Sequence, residues 1–274
     1  MKTLKTWVAA ATMLALSGAA YAAPISLTGT NYGEGFNGLV NTGTGPSGSL
    51  PSGWQFLESG DPTVVDTTYG VNPPGPSLAG DTYSFGMPGA GDRALGTMRD
   101  GFVSSRFGVS FQNNTAQSIR ALRINFFGEQ WFLGSTDSPQ FGVDRLDFGY
   151  STIATDLVGG YVDFDMLDFV SPVNSGQTGF LDGNQFQNRR AIGATIDQLD
   201  IAPSAVFWLR WTDFGTTGVD DGLGIDDFQL IADLRPVTEN PPPPPPGDNS
   251  VPLPGTLALS LLGLTLMGRI RRRA

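Results

Sequence analysis

Five aspartates near the end of the folded region are the residues whose type and spacing could do chemistry. They are Asp213, Asp220, Asp221, Asp226 and Asp227. Carboxylate oxygens are the ligands that Ca²⁺ prefers, so this group predicts a calcium site. The spacing is not that of an EF-hand loop, which needs alternating acidic positions with Gly sixth and Glu twelfth. A network of salt bridges or hydrogen bonds among the same residues is the alternative.

Asp226 is the most informative of the five. Strand geometry predicts that it shares the core-directed face with Phe228 and Leu230. An ionised carboxylate without a partner in an apolar setting costs several kcal/mol, so it needs a cation, backbone N–H groups or an arginine. Arg123 and Arg210, each in the middle of a predicted strand, are the candidate partners.

Glu129, in the run Gly-Glu-Gln-Trp at 128–131, is the best candidate for a catalytic acid. Glycoside hydrolysis needs an acid and a second carboxylate, and none stands at a suitable spacing in the same strand. The chain also contains neither His nor Cys, which removes histidine bases, thiol nucleophiles and disulfides. We therefore expect a non-catalytic protein with no assigned catalytic residue, and keep a carbohydrate-active enzyme using Glu129 as the alternative.

Aromatic side chains give a different candidate function. Most are expected in the core or at its rim. If Trp131 and Phe132 are exposed near a loop, they become candidate glycan contacts, because an exposed aromatic ring can stack on a sugar.

Composition and periodicity predict the elements that position these residues. The 274 residues include 37 Gly and 20 Pro, which argues against a helical bundle. Apolar residues instead alternate with polar ones in short segments bounded by turn residues. These segments are 119–127, 102–111, 146–150, 161–169, 205–212 and 224–231. The best helical candidate, 192–199, is weakened by Gly193 and Thr195. We predict an all-β fold, an antiparallel β-sandwich of jelly-roll type.

The two ends are predicted to lie outside this sandwich. Lys2 and Lys5 precede an apolar run and the small-x-small sequence Ala20-Tyr21-Ala22, which predicts a signal peptide over 1–22. The predicted sandwich then covers 23–235, and a Pro-rich linker covers 236–250.

The last segment, 251–274, carries a more specific pattern. Val251-Pro252-Leu253-Pro254 precedes an apolar stretch that ends in Arg269, Arg271, Arg272 and Arg273. Together they resemble the PEP-CTERM sorting signal of Gram-negative bacteria, although Leu253 replaces the usual Glu. The resemblance implies an exosortase-type sorting protease as partner and export to the cell surface or an exopolysaccharide matrix. It also implies a C-terminal hydrophobic helix, at 252–268, as a transient or permanent anchor in the inner membrane.

The domain itself resembles a secreted bacterial β-sandwich module that is found in other surface-anchored proteins and ahead of extracellular nuclease domains. The similarity spans most of 33–232. It lies in the runs 50–54, 83–86, 92–96, 128–131, 146–150, 181–184, 188–189, 208–213 and 220–228. Where the module often has His, this chain has Asp221. The resemblance implies architecture and location, since the module has no assigned chemistry.

The net charge of the predicted domain and linker excludes some classes of binding partner. Residues 23–254 carry ten Arg, no Lys and 26 acidic residues, a net charge of −16. Such a surface repels nucleic acid and anionic lipid, because binding either requires Lys and Arg to neutralise phosphates. We expect an exported surface or matrix protein with exopolysaccharide or a surface glycan as candidate ligand.

Overall fold

The computed structural model describes residues 22–72, 78–134, 143–215 and 220–235, which form sixteen β-strands and three 3-10 turns. The strands are numbered in chain order and make two sheets. Sheet A contains β1 (Ile25–Leu27), β4 (Trp54–Gly60), β8 (Val103–Asn113), β10 (Arg145–Ser151), β11 (Val162–Asp163), β12 (Phe169–Val170) and β15 (Val206–Phe214). Sheet B contains β2 (Asn31–Glu34), β3 (Thr44–Pro46), β5 (Thr68–Val71), β6 (Asp81–Phe85), β7 (Ala94–Met98), β9 (Ser118–Leu133), β13 (Gly179–Phe180), β14 (Arg189–Ile196) and β16 (Gly222–Arg235).

Long strands occupy the middle of each sheet. In sheet A, β15 lies between β8 and β10, with β1 and β4 along the far side of β8. In sheet B, β16 lies between β9 and the pair β7 and β2, while β14 and β13 line the far side of β9. The pairing is antiparallel except for β1 with β8 and β5 with β6. The predicted all-β, jelly-roll-like sandwich is therefore confirmed, with these two parallel pairs added.

The core forms between the inner faces of the two sheets. On β9 the predicted alternation holds, because Leu122, Ile124 and Phe126 are buried. Trp211 lies at the centre of this core, stacked on Trp54 at 5.9 Å between ring centroids. Other rings contact Trp211 from both sheets: Phe107, Phe126, Phe148 and Phe228. Each buried aromatic contributes roughly 1.5–3 kcal/mol, so this cluster dominates the stability of the sandwich.

One predicted strand was wrong, and the weakened helical candidate is a strand. The helical candidate at 192–199 is largely strand β14, because pairing along β9 satisfies its backbone and overrides local preference. The segment 161–169 is not one strand. Its ends, β11 and β12, pair with opposite ends of β10, and the chain between them makes a 3-10 turn at Asp165–Leu167.

The predictions for the two ends are not tested. All described residues belong to one compact unit. The signal peptide falls outside the described residues except for Ala22, while the linker and the sorting segment fall wholly outside them. In the described ranges, no helix is long and apolar enough to cross a membrane.

Candidate functional site

The outer face of sheet B carries an open groove across β14, β9 and β16. Two adjoining depressions, of about 510 and 490 Å³, follow one another along these strands. The side chains that we use to define this sheet-B groove are Asn125, Phe127, Asp227 and Gln229 in the first, and Arg123, Thr195, Asp197 and Asp233 in the second. Residues that alternate with these along the strands point into the core. The strand geometry therefore directs the groove side chains outward.

A β-bulge in β16 changes the predicted orientation of Asp226. Asp226 pairs with Phe127, and Gln229 pairs with Asn125. Between these two pairs β16 therefore contains one more residue than β9. The backbone at Asp227 has a φ of 50°, in the left-handed region that non-glycine residues rarely adopt.

The core-directed residues consequently change parity at the bulge. Leu223 and Ile225 face inward before it, and Phe228 and Leu230 face inward after it. Asp226 is only 3% exposed, but it lies on the outer side of the sheet. The prediction that it shares a face with Phe228 was therefore wrong, because alternation of two holds only while the register is unbroken.

The partner of Asp226 is Arg189, at the start of β14. Arg189 Nη2 lies 3.7 Å from Asp226 Oδ2 and 3.1 Å from Asp227 Oδ2, and its Nε lies 2.9 Å from Glu129 Oε1. The same guanidinium stacks on the Phe127 ring, with its central carbon 3.8 Å from the ring centroid. We call these side chains the Arg189 cluster. The salt-bridge alternative thus holds for Asp226 and Asp227, although neither Arg123 nor Arg210 is the partner.

Burial shifts the proton equilibria in this cluster. Desolvation, followed by the charge of Asp226, raises the pKa of Glu129 to about 8 against the opposing effect of Arg189. Desolvation also raises the pKa of Asp226 to about 7. The cluster therefore changes its charge near neutral pH, because two of its three carboxyl groups titrate there.

The geometry does not suit Glu129 to glycoside hydrolysis. Asp226 does supply the second carboxylate that the sequence pattern lacked. Glu129, however, is 1% exposed, its Oε2 accepts a hydrogen bond of 3.0 Å from Trp131 Nε1, and its Oε1 faces Arg189. A general acid must come within hydrogen-bond reach of the glycosidic oxygen. No substrate oxygen reaches this enclosed carboxyl group, so its position suits holding Arg189.

Trp131 and Phe132 are not exposed and do not meet the condition for glycan contacts. They are 1% and 2% exposed and belong to a second hydrophobic cluster with Tyr83 and Phe85. The backbone of Gly183 crosses the indole so closely that a Cβ there would come within 2.3 Å of the ring. The residues after β13 thus cover Trp131, and no ring face is free to stack on a sugar.

The remaining predicted calcium ligands are Asp213, Asp220 and Asp221. They form a separate group together with Asp144, which we call the Asp213 cluster. Asp221 accepts a 2.7 Å hydrogen bond from Gly134 N, and Asp144 accepts one of 2.8 Å from Asp221 N. Asp213 is 3% exposed, and the groups that favour its charged form are Thr97 and Arg99. The five predicted aspartates therefore do not share one site.

Like charges dominate the Asp213 cluster. Burial, followed by the charges of Asp220 and Asp144, raises the pKa of Asp213 well above its ordinary value. Burial and Asp144 likewise raise the pKa of Asp220 to about 8, against the opposing effect of Arg99. Over the described ranges, no three acidic side chains are arranged to hold a metal ion. Calcium binding stays a prediction.

The sequence patterns did not single out the residues that define the groove. Arg189 was noted only as part of the run 188–189, and β14 was obscured by its small residues, Ala191 and Gly193. Alternation of Arg123, Asn125 and Phe127 with core residues did place those three on one outer face. The alternation along β9 does not show which strands lie beside it.

The sequence matches no family model and no curated protein. Several solved structures are similar in architecture. The K1 cleaved adhesin domain of Lys-gingipain from Porphyromonas gingivalis W83 is 11% identical over 75% of this chain and 99% of that chain, with a TM-score of 0.40. TmCBM61, solved with β-1,4-galactotriose, is 12% identical over 65% and 88%, with a TM-score of 0.32. The CBM22-1 xylan-binding domain of Paenibacillus barcinonensis Xyn10C is 9% identical over 73% and 92%, with a TM-score of 0.33. The similarity is one of general β-sandwich architecture and does not extend to what this chain binds.

Proposed function

We propose that the protein is a non-catalytic glycan-binding β-sandwich and that the sheet-B groove is its binding face. The observation that carries this proposal is the groove itself: polar side chains of β9 and β16 line an open depression beside one half-buried aromatic ring, and β14 contributes Thr195 to the adjoining depression. Strands hold such side chains more rigidly than loops do, which lowers the entropic cost of binding.

The side chains in the groove suit a polyhydroxyl ligand. The amides of Asn125 and Gln229 can each donate and accept hydrogen bonds, as sugar hydroxyls require. The carboxylate of Asp227 accepts, and Phe127 adds an apolar surface that is fixed by its contact with Arg189. This combination of an apolar surface with a few placed polar groups is typical of small-ligand sites.

A glycan array probed with the full-length chain tests the proposal. We expect binding to a set of related glycans, and a loss of about tenfold in affinity for Gln229→Ala or Phe127→Ala. Gln187→Ala is the matched control, because Gln187 is an exposed amide outside the groove. Equal losses in Gln229→Ala and Gln187→Ala, or no glycan bound at all, would overturn the assignment of the groove.

We further infer that the protein is exported and reaches the surface or exopolysaccharide matrix of a Gram-negative bacterium. The N-terminal and C-terminal patterns support this, with an exosortase-type protease acting on the segment that ends in the arginine cluster. Replacing Arg269, Arg271, Arg272 and Arg273 with Gln is expected to stop processing and surface delivery, as measured by cell fractionation. The control is Arg235→Gln, and normal delivery of the fourfold variant would contradict the inference.

A further inference from the structure

A second polar surface lies on the outer face of sheet A, away from the sheet-B groove. In the pairing of β8 with β15, Arg106 is opposite Thr212, and Arg210 is opposite Gly108. The residues between them, Phe107, Leu209 and Trp211, are fully buried in the core. Arg106, Arg210 and Thr212 therefore point outward together, and all three are half-buried.

The two arginines are close and have no acidic partner. Burial lowers the pKa of Arg210, the contact with Tyr161 raises it, and the positive charge of Arg106 lowers it again. Neither guanidinium forms a salt bridge with a described carboxylate. Asp147, opposite Thr212 on the next strand, is already paired with Arg145. The charges of Asp163 and Asp147 also act on Arg210, but from beyond salt-bridge distance, so the two guanidinium groups lack a directly bound carboxylate among the described residues.

Unused hydrogen-bond donors are concentrated on the same face. Enclosed side-chain atoms without a partner are Gln55 Nε2, Arg106 Nε, Ser110 Oγ, Trp208 Nε1, Arg210 Nε and Thr212 Oγ1. All six carry a hydrogen that can be donated. An enclosed donor without an acceptor costs about 1–3 kcal/mol, and native proteins contain few of them. The face therefore favours a ligand rich in acceptor oxygens.

Tyr161 adds a ring to this surface. The central carbon of Arg210 lies 3.9 Å from the Tyr161 ring centroid, and Arg210 Nη1 donates 3.1 Å hydrogen bonds to the carbonyls of Leu157 and Val158. These contacts fix Arg210 beneath the segment that crosses the sheet. Arg106 has no such contacts and remains the guanidinium available to a ligand.

We propose that Arg106, Arg210, Thr212 and Tyr161 form a second binding site, which takes a sugar bearing a carboxylate. An arginine fork matches a carboxylate in a bidentate geometry, and Tyr161 borders the sugar ring. Nucleic acid is disfavoured, because its binding needs many phosphates neutralised and only two arginines are present against an acidic domain. The site lies on the sheet opposite the groove, so either can fail without the other.

Calorimetric titration of the full-length chain with tetragalacturonate, and with its fully methyl-esterified form, tests the site at physiological salt. We expect the acid form to bind and the ester to bind at least about tenfold more weakly. Arg106→Gln should lose about tenfold in affinity, and Arg106→Lys should lose less because it keeps the charge but not the fork. Arg120→Gln is the control, since it removes the same charge from a surface salt bridge on sheet B.

Four results would overturn the proposal: equal binding of the acid and the ester, no binding of either, an equal loss in Arg120→Gln and Arg106→Gln, or tighter binding of a single-stranded DNA oligomer. Thermal unfolding of each variant shows whether it is folded. If Arg106→Gln is unfolded, Arg106→Lys is compared with the wild type instead. Unchanged affinity of Arg106→Lys for the acid and for the ester would contradict the proposed bidentate contact.

Discussion

The Arg189 cluster and the Asp213 cluster contain the same kind of residue, and they lie on either side of the start of β16. Asp221 and Asp226 are only five positions apart. In the first cluster a guanidinium lies within 4.0 Å of three carboxylates. In the second, burial and the charges of Asp220 and Asp144 disfavour the charged form of Asp213, against the smaller effects of Thr97 and Arg99. Burial raises pKa values in both. In the first the guanidinium of Arg189 contacts three carboxylates, whereas in the second the charge of Arg99 only partly opposes the repulsion among the aspartates.

This difference teaches that a buried carboxylate has no fixed contribution to stability. With its cation, it is a pair whose disruption leaves a charge in low dielectric. Without one, it favours the neutral, protonated form, and folding takes up a proton. The two clusters should therefore respond in opposite directions when one charge is removed from each.

Removing the guanidinium should have the largest effect. Arg189→Met is expected to lower the free energy of unfolding by about 3–5 kcal/mol at pH 8, because it leaves buried Glu129 and Asp226 without a cation. Urea denaturation measures the change. Arg190→Met is the matched control, since Arg190 is exposed and binds only backbone carbonyls, and it should change stability by less than about 0.5 kcal/mol. A similar small change in both variants would remove the distinction between the clusters.

Neutralising the unpaired aspartate should have the opposite sign. Asp213→Asn is expected to raise the free energy of unfolding by about 1–3 kcal/mol at pH 8, because the amide has nearly the same shape and is neutral without taking up a proton on folding. The paired counterpart, Asp226→Asn, should bring no such gain, since it gives up attraction to Arg189. The comparison fails if urea denaturation shows that Asp213→Asn is destabilising.

The pH dependence of wild-type stability follows from the raised pKa values. Glu129 and Asp220 have folded pKa values of about 8, against about 4 in the unfolded chain. Their contribution is fully present below about pH 4 and is lost as the pH rises through 8. Stability should therefore fall by at least about 1 kcal/mol between pH 5 and pH 8.5. Asp220→Asn should reduce that slope, and a wild-type stability that rises over this interval would contradict the assignment.

Added calcium should have the smallest effect. Asp226 and Asp227 are already paired with Arg189, so millimolar Ca²⁺ is expected to shift the melting temperature by less than about 1 °C. Differential scanning fluorimetry with and without a chelator measures this shift. A rise of several degrees that Asp213→Asn abolishes would instead place a cation in the Asp213 cluster.

Local patterns predicted the parts of the fold that depend on burial alone. The alternation around Leu122 and Ile124 identified β9 and its inward face, and the same rule identified most of β15. The rule failed at 161–169 and at β14, because there the pairing with a neighbouring strand determines the secondary structure. The rule also failed at the bulge of β16. One inserted residue reverses the face to which every side chain beyond it in the strand points. No local signal in the sequence marks that insertion.

The sequence by itself determined the class of this protein: an all-β sandwich with an acidic surface that lacks lysine over 23–254, and no residue for thiol or histidine chemistry. These properties are additive over the chain, so counting and alternation are enough to establish them. Only the tertiary structure decided that Asp226 meets Arg189, that Asp213 meets other aspartates, and that Trp131 is covered. Each of these outcomes depends on which distant strand lies alongside, and the free energy of a buried charge or ring is set by that neighbour.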